Sequence, residues 1–412
     1  MQIRGVDLSV DFCGLKFPNP FVLSSAPPTT DGAMIKRAFS MGWGGAITKT
    51  LGLPNLEIVN TTPRLATIRG FKGDLIGLEN IELITDRPLD VWLEEIKEIK
   101  KEYPENILIA SLMTAAVKED WQELVRLVQA TGVDAFELNF SCPHGMPEKG
   151  IGAAIGQDPE IASTITRWVK EVAEIPVIVK LTPNVTNIGV VAKAVEAAGA
   201  DAISAINTVS VLIGIDVEKM EPIPTVDGKS SFGGYSGPAV RPIGLRCVAE
   251  IAQATKLPIS GIGGISTWEN AVEYMLVGAS TVQLCTAVMF EGYRIIYDLI
   301  DGLADYMERH GFKKVQEIVG LALPKLSAHE KLSREYKVVA NVNPDLCIKD
   351  DLCARVCQDA GYSAIQIGPD RIAKVDEEKC HGCSLCQQVC PVWGCIQMKL
   401  VNQKRGAGVE NT

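Results

Sequence analysis

Eight short apolar runs, most followed by an amphipathic stretch of helical period, set the strongest limit on what this chain can fold into. The runs are 21–27 (FVLSSAP), 45–50 (GAITKT), 106–113 (NILIASLM), 135–141 (AFELNFS), 176–183 (PVIVKLTP), 202–208 (AISAINT), 258–263 (PISGIG) and 281–287 (TVQLCTA). Helical patterns lie between them, such as KEDWQELVRLVQA from Lys118 and NIGVVAKAVEAAG from Asn187. Eight strand–helix units over about 290 residues predict an α/β fold, a closed parallel (β/α)8 or TIM barrel. A doubly wound open sheet is the alternative. The barrel is favoured by the count and by the polar residues gathered where the runs end: Ser24-Ser25, Lys49-Thr50, Asn139 with Ser141 and Cys142, Lys180 with Thr182, Asn207-Thr208, Gly263-Gly264 and Thr286. In such a barrel the C-terminal strand ends form the active-site face.

The remainder of the chain is governed by cysteine spacing. Of 12 cysteines, eight (Cys347, Cys353, Cys357, Cys380, Cys383, Cys386, Cys390 and Cys395) fall near the C-terminus, while Cys13, Cys142, Cys247 and Cys285 are scattered. That clustering fits a reducing compartment and a metal-binding tail better than a disulfide framework. Cys380-His381-Gly382-Cys383-Ser384-Leu385-Cys386-Gln387-Gln388-Val389-Cys390-Pro391 reads C-x2-C-x2-C-x3-C-P. In this pattern three thiolates wrap one iron–sulfur cube and the fourth reaches a neighbouring cube. Zinc is the weaker reading, because zinc pairs usually lie further apart. An upstream copy, Cys347-Ile348-Lys349-Asp350-Asp351-Leu352-Cys353-Ala354-Arg355-Val356-Cys357, keeps three cysteines in register and has Asp350 at the second position. With crossed fourth ligands, one [4Fe–4S] site is Cys380, Cys383, Cys386 and Cys357. The other is Cys347, Cys353 and Cys390, with either Asp350 as a harder oxygen ligand or a three-iron cluster that leaves Asp350 unbound. Cys395 reads as a buried apolar cysteine.

These features divide the chain into a barrel over 1–310, a helical connector over 311–340, a two-cluster ferredoxin-like domain over 341–400 and a flexible tail over 401–412. The first residues show no signal-peptide pattern, and no run approaches the length of a membrane span, so the expected location is the cytoplasm. Lys and Arg total 40 against 50 Asp and Glu, a net charge of −10, which argues against a nucleic-acid partner.

At the expected barrel mouth, Ser260-Gly261-Ile262-Gly263-Gly264-Ile265 follows the seventh strand and Cys285-Thr286-Ala287 ends the eighth. Loops at these positions form the usual barrel phosphate site, with backbone N–H groups aimed at the anion. The glycine spacing is not the dinucleotide fingerprint, so no nicotinamide site is expected. Lys49 and Lys180 each end an apolar strand, where a purely structural lysine is costly. Both suit the electron-rich ring edge or phosphate of a flavin. Asn80, Asn139, Asn207 and Thr208 offer donors and acceptors for a flat, amide-bearing ring. Cys142 opens a glycine-rich stretch (Gly145, Gly150, Gly152, Gly156) suited to a mobile lid, and a thiol with an ordinary pKa is protonated at neutral pH and able to donate.

Asn139-Phe140-Ser141-Cys142-Pro143-His144-Gly145-Met146, Lys180-Leu181-Thr182-Pro183-Asn184-Val185-Thr186, and Ser231-Phe232-Gly233-Gly234-Tyr235-Ser236-Gly237 with Arg241-Pro242-Ile243 resemble dihydropyrimidine dehydrogenases. More closely, the chain resembles the bacterial subunit that holds the FMN barrel and C-terminal clusters, and the resemblance covers nearly its whole length. It implies reduction of uracil or thymine to the 5,6-dihydro form, with electrons passing through the clusters to FMN. It implies Cys142 as general acid, and Asn80, Asn139, Asn207 and Thr208 as pyrimidine-binding residues. Ser25, Lys49, Thr50, Lys180, Gly237, Gly264 and Thr286 fall where flavin contacts lie, and Gly263 joins them through the phosphate loop. A separate FAD- and NAD(P)H-binding subunit is implied as electron donor, hence a hetero-oligomer. Asp350 is the main departure from the family pattern. The rivals are a dihydroorotate dehydrogenase-like enzyme, a reductase of another cyclic amide or enone, and a non-catalytic electron-transfer subunit.

Overall fold

The structure, a computed structural model, describes residues 1–56, 58–140, 153–335 and 337–401. It divides into two compact units, Met1–Lys325 and Leu326–Thr412.

Eight parallel strands close the first unit into a barrel: β1 (Phe21–Leu23), β2 (Gly45–Ile47), β3 (Ile107–Leu112), β4 (Ala135–Asn139), β5 (Val177–Leu181), β6 (Ala202–Ala205), β7 (Ile259–Ile262) and β8 (Ala279–Leu284). Each strand hydrogen-bonds to its sequence neighbours, and closure comes from β8 pairing with β1, Val282 opposite Phe21. All eight lie within or across the apolar runs. The open-sheet alternative is thereby excluded.

Helices α1 (Gly32–Ser40), α2 (Leu89–Glu102), α3 (Lys118–Gln129), α4 (Pro159–Lys170), α5 (Ile188–Ala197), α6 (Arg241–Ala254), α7 (Trp268–Leu276) and α8 (Ile295–His310) follow the strands in turn. Their starts are chemically marked: Asp31, Asp158, Asn187 and Thr267 each accept a backbone N–H of the first turn. One face of each is apolar; α3, for example, buries Trp121, Leu124, Val125 and Val128 against the barrel core. A hairpin of Val10–Phe12 and Leu15–Phe17 places Phe12 and Phe17 against Val22, Ile47, Ile109 and Ile178, forming a separate apolar layer.

Two insertions form a second sheet. Leu65–Arg69 and Leu75–Asn80, between β2 and α2, join Gly233–Ser236 and Val209–Val211, between β6 and α6. The pairing of Gly234 with Asn80 joins the two insertions, and Asn80 thereby reaches the cavity described below.

In the second unit, Lys337–Val342 pairs antiparallel with Ile396–Val401, and Ile365–Ile367 with Ala373–Val375. Two short helices, Leu352–Asp359 and Leu385–Val389, lie within the two cysteine motifs and carry Cys353 with Cys357, and Cys386. Among the described residues, no helix is long and apolar enough to cross a membrane.

Candidate active site and cysteine sites

The strand ends of the barrel and the insertion sheet surround one cavity, about 1080 Å3 including its open mouth, a size that takes a whole cofactor. Its wall includes every sequence-predicted barrel residue that the structure describes: Ser25, Lys49, Thr50, Asn80, Asn139, Lys180, Asn207, Thr208, Gly237, Gly263, Gly264 and Thr286. Cys142 and the glycine-rich stretch through Gly152 lie outside the described residues. Gly156 is described, and a Cβ there would lie 2.4 Å from the Phe140 carbonyl oxygen, so close packing requires this glycine.

One side of the cavity is a backbone cradle. Gly237, Gly263 and Gly264 have φ of +96°, +133° and +72°, a region that favours glycine. A Cβ on Gly264 would lie 2.7 Å from the Gly237 carbonyl oxygen and 2.9 Å from the Arg241 nitrogen. The absence of a side chain at Gly264 thus lets this loop pack directly on the start of α6, so that main chain forms this part of the cavity wall. Thr286 Oγ1 donates to or accepts from Ser236 Oγ at 2.8 Å. A phosphate fits this chemistry.

The other side is a linked set of amides and hydroxyls. Asn207 Nδ2 donates to Asn139 Oδ1 at 3.1 Å, and Asn139 Nδ2 donates to Thr50 Oγ1 at 3.0 Å. Thr50 Oγ1 is also in hydrogen-bond contact with Ser25 Oγ at 3.1 Å. The Thr208 N–H donates to Asn207 Oδ1, and Asn80 Nδ2 donates to the Gly234 carbonyl at 3.1 Å. Both ends of the Asn139 and Asn207 amides are thus engaged within the protein, and the Asn80 amide nitrogen is spent on Gly234.

Both cavity lysines are paired with carboxylates that the sequence reading did not select. Lys49 forms an ion pair with Glu82, which Arg64 Nε also reaches at 3.0 Å. Lys180 Nζ lies 3.2 Å from Glu137 Oε1. The Glu137 signal was present in the sequence: a single carboxylate inside the apolar run AFELN, one strand away from a single lysine inside PVIVKL. Burial pushes the Cys285 thiol up to about 11, with Lys49 and Lys180 pulling the other way, so this cavity cysteine stays protonated.

In the second unit Cys357, Cys380, Cys383 and Cys386 line one small cavity, although Cys357 belongs to the other motif. These four are the set expected for one cluster with a crossed fourth ligand. Cys353 is buried, and its thiol is held up by burial and by the neighbouring charges of Asp350, Cys347 and Cys390, a second cluster of donors. Cys395 is buried beside Cys390. Asp350 is exposed, and its Oδ1 accepts the Leu352 N–H at 3.2 Å.

A dihydroorotate dehydrogenase family model matches residues 7–307, and a 4Fe-4S dicluster domain model matches 340–398. The chain is 42% identical over 405 residues to the NAD-dependent dihydropyrimidine dehydrogenase subunit PreA of Escherichia coli (strain K12), covering 97% of each. The chain belongs to the dihydropyrimidine dehydrogenase family. Two further relatives agree. Chloroplastic dihydropyrimidine dehydrogenase (NADP(+)) of Arabidopsis thaliana is 46% identical over 342 residues, 80% of each chain. The catalytic subunit of dihydroorotate dehydrogenase B (NAD(+)) of Pyrococcus abyssi is 39% identical over 323 residues, 77% of this chain and 99% of that one. This member of the dihydropyrimidine dehydrogenase family is thus an oxidoreductase whose barrel takes a flavin and whose C-terminal domain takes iron–sulfur clusters.

Proposed function

We propose that the chain catalyses reversible reduction of the 5,6 double bond of uracil or thymine. In this reading the flavin is FMN, with its phosphate on the Gly237, Gly263 and Gly264 cradle and its ring edge near Lys49 and Lys180. Bound there, FMN would supply hydride chemistry to one carbon of the double bond. Cys142 gives the proton to the other carbon from the opposite ring face, as a general acid. Asn80, Asn139, Asn207 and Thr208 hold the ring amides. Electrons enter through two iron–sulfur clusters from an FAD- and NAD(P)H-binding partner subunit, in the cytoplasm.

The observation that carries this reading is the linked amide set standing in the same cavity as the glycine cradle. The cavity's two lysines are each paired with a carboxylate, and Glu82 is shared between Lys49 and Arg64.

The test is anaerobic turnover of the purified chain with reduced viologen against uracil, thymine, orotate and cyclic enones, with the flavin identified after acid release. Uracil or thymine should be the preferred substrate and the flavin should chromatograph as FMN. The Cys142→Ala variant should keep its flavin and its reduction while losing on the order of 10² or more in pyrimidine turnover. Preference for orotate, release of FAD, or near-normal turnover of Cys142→Ala would each remove the corresponding part of the reading.

A further inference from the structure

Behind Lys180, the Glu137 carboxylate on β4 is fully buried, and donors from three other strands converge on it. Lys180 Nζ of β5 reaches Oε1 at 3.2 Å, while Ser204 Oγ of β6 and Gln283 Nε2 of β8 donate to Oε2 at 2.8 and 3.1 Å. Gln283 Nε2 also donates to Ser260 Oγ of β7 at 3.1 Å, and Thr281 Oγ1 donates to the same oxygen at 2.8 Å. The amide nitrogen of Gln283 is therefore spent on two protein oxygens. Its Oε1, buried and without a protein partner, is the end left over. Lys180 and Gln283 line the cavity; Glu137 does not.

A buried ion pair of this kind is weak support for stability, because an apolar pair of similar volume often holds a core as well or better. What an apolar pair lacks is charge delivered to the cavity wall. We infer that Glu137 is a positioning residue that fixes the Lys180 ammonium and the Gln283 amide and, through its own charge, sets how readily the bound flavin is reduced. The inference rests on the flavin reading above. Reduction adds negative charge to the flavin, which Lys180 favours and Glu137 opposes. In the low-dielectric barrel interior neither effect is screened away. Glu137 thus keeps the flavin harder to reduce than the lysine alone would make it.

The test uses the full chain with flavin and clusters in place, equilibrated with a reference dye while the flavin absorbance is followed. Glu137→Gln keeps the shape of the side chain and removes the charge. The reduction equilibrium should move at least tenfold toward reduced flavin, about 30 mV more positive for a two-electron couple. Glu137→Asp draws the carboxylate back by one methylene and should give a smaller upward shift, which carries the test if the Gln variant does not fold. An unchanged or lower potential in a folded, flavin-loaded variant overturns the inference. So does failure of both variants to fold, which would make Glu137 structural. A wild-type chain that releases no flavin on acid treatment instead overturns the flavin reading on which the inference stands.

Discussion

Asp350 stands where the downstream motif has Cys383, and the backbone around the two residues is alike. Cys383 sits between Gly382 and Ser384, at φ of +69° and +64°. Asp350 sits between Lys349 and Asp351, at φ of +64° and +62°, and each position is followed by a short helix. Left-handed backbone at Lys349 and Asp351 costs of order 1–3 kcal/mol apiece. The upstream half keeps that strained loop although its thiol is gone. One carboxylate oxygen is already engaged by the Leu352 N–H, and oxygen is a harder donor than sulfur, so iron should be held less firmly here. The upstream cluster should therefore be the first to fail in air, giving a three-iron EPR signal, and Asp350→Cys should suppress that signal. Anaerobic protein should carry about eight irons if both cubes are complete. If Asp350→Cys changes neither iron content nor oxygen sensitivity, Asp350 is not a ligand.

Among the elements, α1 and α2 are tied by one carboxylate. Glu95 on α2 takes both nitrogens of Arg87, at 2.7 and 2.5 Å, and the Gly32 N–H at the start of α1, at 2.9 Å. The Arg87 guanidinium, followed by that N–H, holds the Glu95 carboxyl below its ordinary 4.5. A depressed carboxyl stabilises the fold above the unfolded value and loses that contribution as pH falls through the folded value. Glu95→Ala should thus cost about 1–3 kcal/mol at neutral pH. The gap in melting temperature between variant and wild type should narrow as the pH falls below about 4.5. A gap independent of pH would mean that packing, not charge, makes the link. The barrel strands were legible because each is a compact apolar run. The insertion sheet was not: Leu65–Arg69 is mostly exposed, its neighbour Leu75–Asn80 contains Gly77, and that neighbour's other partner, Gly233–Ser236, lies about 150 residues further along the chain. Asn80 could be chosen by its chemistry, but only a long-range pairing puts it at the cavity. Glu82 and Glu137 were passed over because a carboxylate reads as surface until the opposing lysine is seen. The crossed placement of Cys357 among the downstream cysteines was legible from spacing alone.

At the scale of the whole molecule, the question is where reducing equivalents enter. The described residues form a flavin barrel and a cysteine-rich unit, and the glycine loop after β7 lacks the spacing of a dinucleotide-binding turn. The E. coli relative is named as a subunit, and so is the Pyrococcus relative. A two-cluster module is useful to a flavin enzyme only if electrons pass through it, so a donor must dock on it. The purified chain should then reduce pyrimidines with low-potential artificial donors but not with NADH or NADPH, and NAD(P)H should drive turnover only when the proposed FAD- and NAD(P)H-binding partner is added. Cys383→Ser should separate the two routes. With Cys383 as a ligand in the proposed set, partner-dependent turnover should fall on the order of tenfold or more, while a single turnover from flavin reduced directly by light should proceed near the wild-type rate. Rapid NADH oxidation by the isolated chain would refute the two-subunit route. Equal loss in both assays would place Cys383 in the folding of the second unit, and not in the path of the electrons.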